Sequence, residues 1–153
     1  MLRGYPVELG ISATEQVEEW MREFKLIALG RGTGDVGHDV PDRLLQMVKL
    51  LSHRYAVELS EPERVRAAAA ARGQATVDLV YPVRPEAEAT VLGWLQLTHE
   101  VDAYCRAEDL LTLQRTPDQV ALQQWVCEEF LRQLQGEPPR PWSEYAPQDG
   151  PSA

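Results

Sequence analysis

The residues best suited to chemistry lie in one short run, Gly30-Arg31-Gly32-Thr33-Gly34-Asp35-Val36-Gly37-His38-Asp39. Glycines free the backbone to wrap an anion, and a helix starting near Pro41 would offer its positive end to a phosphate. In that reading Arg31 supplies the charge, Gly32, Thr33 and Gly34 supply backbone contacts, and His38 adjoins them. The run lacks the Gly-Lys-Ser/Thr of a Walker loop. A dinucleotide-binding fingerprint needs a strand before it, whereas the residues before Gly30 repeat with a helical period. The plainer reading is a helix end followed by a connector.

Other candidate groups meet similar objections. His38, Asp35 and Asp39 offer three ligands in five residues, and His99 and Asp102 form an i, i+3 pair. A defined metal centre wants a second ligand pair at helical spacing, and a carboxylate-bridged bundle wants Glu-x-x-His on its helices. That motif is absent here, so no metal and no other cofactor is expected. Cys105 and Cys127 have no base at a matching helical step; His99 lies six residues before Cys105, off its face. They read as small buried hydrophobes. No serine sits in a Gly-x-Ser-x-Gly elbow. The glutamates of the first and last helices fall on polar faces. No catalytic residue is assigned.

The whole chain sets the frame for these groups. Its 153 residues suffice for one domain with a real core. With 44% apolar and 25% charged residues, it reads as an ordinary globular protein. A net charge of −9 argues against nucleic acid, whose phosphates recruit Lys and Arg, and against an anionic membrane surface. Arg64, Arg66 and Arg72 give one helix a basic edge, against the sign of the molecule as a whole. Two cysteines are too few for a disulfide framework, which points to a reducing cytoplasm. No apolar run resembles a signal peptide or a membrane span. The scarcity of lysine beside arginine suggests a GC-rich bacterial source.

Periodicity supplies the elements. The clearest helix runs over 117–135. Thr116-Pro117-Asp118-Gln119 opens it as a capping box and Gly136 closes it. A second starts from the apparent box Ser12-Ala13-Thr14-Glu15 and carries Val17, Trp20, Met21, Phe24 and Ile27 to Gly30. Residues 1–11 read as an irregular lead-in. Further helices are expected over 41–57, over a short Ala-rich stretch opened by Ser60-Glu61-Pro62-Glu63 and ended by Gly73, and over 86–107. Thr76–Val83 alternates like a strand. Its only apparent mate is Leu110–Leu113, which would pair in parallel across a helical crossover.

The expected fold is mainly α: a single bundle of four main helices plus the Ala-rich one, with room for a minor strand pair of 77–81 with 110–113. The helical domain would cover 1–137, followed by a Pro-rich tail over 138–153. Trp142 and Tyr145 in that tail are candidate anchors for a partner, although Pro138-Pro139-Arg140-Pro141 is expected to lead the tail back onto its own domain. The leading functional expectation is a non-enzymatic protein-interaction or regulatory protein that binds another protein or itself. The alternative is a small-ligand or nucleotide-phosphate binder using the 30–39 loop.

Overall fold

The structure is a computed structural model that describes residues 1–30, 40–108, 110 and 113–146. Strand β1, Leu2–Pro6, leads straight into helix α1, Val7–Gly30. Helices α2, Val40–Arg54, and α3, Ala56–Ala71, follow. Strand β2, Thr76–Leu79, and a 3-10 turn at Pro85–Ala87 precede α4, Glu88–Ala107. Helix α5, Pro117–Leu134, and the single turn α6, Trp142–Tyr145, are the last described elements.

The mainly α fold with a minor strand pair is as the periodicity predicts. Around the bundle, α1 packs on α2, α2 on α4, α4 on α5, and α5 back on α1. The four long helices therefore close a ring. The Ala-rich α3 leans against α1 and β2 from outside it.

The strand pair has a different partner from the one expected. β2 pairs antiparallel with β1, matching Leu2 to Leu79, Tyr5 to Val77 and Pro6 to Thr76, with a register shift between Leu2 and Tyr5. That irregularity breaks the alternation of residues 2–6, so the sequence shows no second strand there. At the other proposed mate, Leu110 and Leu113 form the turn after α4: Leu110 N–H donates to Cys105 O at 2.7 Å, and Leu113 N–H donates to Leu110 O at 2.9 Å.

Two apparent capping boxes lie inside helices. α1 begins at Val7, whose N–H donates to Ala75 O at 3.0 Å, so tertiary contact supplies the cap. Ser12 instead receives Gln119 Nε2 at its Oγ, 2.8 Å away. α3 begins at Ala56 and carries Pro62 within it, fully buried. α2 stops at Arg54 rather than 57, yet backbone bonds continue past the break, from Tyr55 N to Leu51 O and from Leu59 N to Tyr55 O. α5 matches its reading: both halves of the Thr116–Gln119 box are present. Gly136, at φ 84°, takes the left-handed position that ends the helix, and Glu137 N–H donates to Arg132 O across it.

Two cores result. The first gathers Trp20, Phe24, Leu44, Leu97, Val101 and Cys105. The second gathers Leu2, Tyr5, Leu79, Leu122 and Trp125, joined by Trp142 and Tyr145 from the C-terminal segment. That segment is held in place: Trp125 Nε1 donates to Arg140 O at 3.2 Å, and Arg140 N–H donates to buried Glu129 at 2.8 Å.

Candidate functional site

A cavity of about 430 Å³ lies where the two cores face each other. Val17 and Trp94 flank the first core and line it; Tyr5, Leu122, Val126 and Phe130 line it from the second. Small residues on α1 make the room. Gly10, Ala13 and Thr14 share a helix face with Val17, at steps of three and four. Gly10 admits a close approach: a Cβ there would stand 2.7 Å from Tyr5 Cζ and nearer still to its Cε1. The Tyr5 ring therefore lies directly against the helix backbone at Gly10 and forms one wall.

The opposite walls are Leu51, Tyr55 and Leu59 around the α2–α3 junction and Thr90 and Val91 on α4. The stretch Tyr81–Arg84, turned by a Val83 N–H to Tyr81 O bond of 2.8 Å, closes one side. An ion pair of 3.4 Å between Arg84 and Glu58 ties that stretch to α3, with Arg84 largely in solvent. Exposed Glu18 and Arg84 mark where the walls meet water. Inside, polar groups are few and mostly engaged. Tyr55 and Thr90 share a hydrogen bond at 3.2 Å. Gln123 donates to Thr98 Oγ1 at 2.6 Å and accepts from Arg115.

One cation stands behind the α1 wall. Arg66 of α3 reaches across to Gly10 O at 3.1 Å and Thr14 Oγ1 at 2.7 Å. The basic edge read from Arg64, Arg66 and Arg72 thus splits: Arg64 pairs with Glu61, Arg72 Nη2 bonds Gln74, and Arg66 turns inward. Asp102 is also taken. Its carboxylate receives Arg115 Nη2 at 2.6 Å and Nε at 3.0 Å, while His99 lies exposed. The two do not converge on a common site. Among the described residues no cluster of three His, Cys, Asp or Glu side chains is placed to hold a metal.

Both cysteines are free and buried. Burial pushes the Cys105 thiol up to about 11 and the Cys127 thiol, on the cavity wall, up to about 12. Neither is a thiolate at neutral pH, so neither is an activated nucleophile. Burial likewise raises the Tyr5 and Tyr81 phenols. The unfolded chain ionises its thiols near their ordinary value of 9.0, while the folded chain keeps them neutral. Stability is fully present below that value and falls as pH rises from about 9 toward 11. Urea midpoints measured over that range are expected to decline steadily; a flat profile would show the thiols to be solvated.

The residues singled out from sequence fare differently. Arg31, Gly32, Thr33, Gly34 and His38 lie outside the described residues. Trp142 and Tyr145 are half-buried on the second core. The Trp142 ring meets Trp125 edge-on at 5.4 Å, and the Tyr145 hydroxyl donates to Glu128 at 3.1 Å beneath the Arg140 guanidinium. The cavity itself was missed. Its walls come from β1, the four ring helices, α3 and the stretch after β2, with no local motif. The one available signal is the run of small residues at 10, 13 and 14 ahead of Val17, hidden because the Ser12–Glu15 spacing places the helix start at Ser12.

Comparison of the chain with protein-family models, with curated proteins and with solved structures gives no match.

Proposed function

We propose that this chain is a non-enzymatic binding protein that holds a small, largely apolar molecule between its two cores. The observation that carries the reading is the 430 Å³ cavity and the character of its walls. Protein interiors pack to the density of organic crystals, with few voids larger than a water molecule. A space of this size falls in the range of small-molecule sites. Aliphatic and aromatic walls give water few partners, so an apolar occupant gains what water cannot. At roughly 30 Å³ per non-hydrogen atom, the space suits a molecule of about a dozen such atoms.

Two free, buried thiols are in keeping with a reducing cytoplasm. No described helix is long and apolar enough to cross a membrane. Docking of another protein is the second reading, supported by Leu29 and Val57, which are 81% and 83% exposed. Single apolar side chains on a surface are ordinary, and the cavity carries the greater weight.

Linear alcohols of graded length in a thermal-shift series test the proposal. At a concentration of about a hundred times Kd, binding adds about 2.7 kcal/mol of stability. For a chain of this size that raises the melting temperature by roughly 5–10 °C. Val126→Trp, which fills the cavity, is expected to fold and to lose the shift. A response no larger than that of an unrelated protein, or one that Val126→Trp leaves intact, would defeat the proposal.

A further inference from the structure

The cavity is apolar on most sides, but the wall behind Gly10 and Thr14 has a charge within reach. Arg66 is half-buried and, among the described residues, has no carboxylate within ion-pair distance. The other guanidiniums set into the body of the fold differ in this respect. Arg115 holds Asp102, Arg132 holds Glu129 and Glu137, and Arg140 holds Glu128 and Glu129. Glu63, one turn before Arg66 on α3, points into solvent.

Two phenols accompany this cation. Arg66 stands near the Tyr5 phenol: its Nη1 holds Gly10 O at 3.1 Å, and the Tyr5 hydroxyl lies against the Gly10 backbone. Tyr81, in the same core as Tyr5, lies close enough for Tyr5, Arg66 and, more weakly, Glu63 to act on it electrostatically. Both tyrosines line the cavity. Each phenol keeps its proton at neutral pH, so each is a potential hydrogen-bond donor on the cavity wall.

We infer that the cavity takes an amphiphile with an anionic head, a medium-chain carboxylate in size and chemistry, whose oxygens are received by the Tyr5 and Tyr81 hydroxyls, with the charge of Arg66 behind Gly10 and Thr14 favouring the anion. This rests on the cavity being the binding site. A half-buried cation without a counter-ion is the costly state, and a carboxylate entering beside it relieves that cost while the alkyl chain follows the apolar walls. The net charge of −9 gives no long-range attraction for an anion, so recognition is local and the apolar tail is needed to bring the head in.

Titration calorimetry with decanoate, 1-decanol and decylamine, below their micelle concentrations, separates the possibilities. The wild-type chain is expected to bind decanoate at least about tenfold more tightly than decanol, and decylamine least. Arg66→Met removes the preference for decanoate and leaves decanol binding as it was. Tyr81→Phe reduces the preference in part, and Arg66→Lys restores part of what Arg66→Met loses. Far-ultraviolet circular dichroism of each variant checks that it is folded. If Arg66→Met does not fold, Tyr81→Phe alone decides. Decanol binding equal to or above decanoate, or a preference that survives these substitutions, overturns the anionic head while leaving the cavity as the site. No heat with any of the three removes both.

Discussion

Replacing Asp102 with alanine is expected to cost about 3–5 kcal/mol of folding stability, the penalty for stranding one partner of a buried ion pair. The Arg115 side chain is 4% exposed and that of Asp102 11%, so water cannot take over. Asp102 also accepts the Arg115 backbone N–H at 3.3 Å, which joins the end of α4 to the entry of α5. The Arg115 guanidinium lies 5.5 Å from the Trp20 ring centre and donates to Gln123. The same connection receives α1, because Gln16 Nε2 and Trp20 Nε1 both donate to Leu113 O. Losing Asp102 therefore loosens three helices of the ring at once. Asp102→Leu combined with Arg115→Met is expected to be less damaging than Asp102→Ala alone, since no charge is then left stranded. Urea unfolding decides: a loss under about 1 kcal/mol for Asp102→Ala would mean that the pair is solvated and adds little.

Trp125→Ala is expected to cost a similar amount, about 3–5 kcal/mol, the range for deleting a large aromatic from a core. Trp125 is fully buried. Its ring lies 6.3 Å from Tyr5 and 5.4 Å from Trp142, and its Nε1 holds Arg140 O. Its removal takes the common support from β1, α5 and the C-terminal segment together. Trp125→Phe keeps most of the packing and loses the hydrogen bond, so a smaller loss of about 1–2 kcal/mol is expected. Domains of this kind are stable by only about 5–15 kcal/mol, so the alanine variant should melt well below the parent. Equal losses for the two variants would assign the effect to the hydrogen bond instead of the ring.

These two residues illustrate what could be read from sequence and what could not. α5 was legible from end to end because its start, stripe and stop are local: Thr116 and Gln119 bond each other, and Gly136 follows four turns of periodic apolar residues. Trp125 was legible as a core residue for the same reason. Asp102 was legible only as an i, i+3 neighbour of His99, because its true partner, Arg115, lies 13 residues on across a turn. β1 escaped notice because a strand of five residues with an irregular register has little alternation to show. The false capping boxes at Ser12 and Ser60 share one cause. A Ser-x-x-Glu spacing also occurs inside helices, where backbone contacts elsewhere, such as Val7 with Ala75, set the true start. The cavity depends on the way α1, α4, α5 and the α2–α3 junction leave space between them, and no residue encodes that by itself.

The proposed function is that a small molecule enters between the two cores. A methyl-resolved NMR titration of the intact chain with 1-decanol tests it most directly. The prediction is saturable shifts at Val17, Leu51, Val91, Leu122 and Val126, which line the cavity, with Leu44 and Val101 of the first core nearly still. Shifts confined to exposed methyls such as those of Leu29 and Val57, or none that saturate, would contradict it.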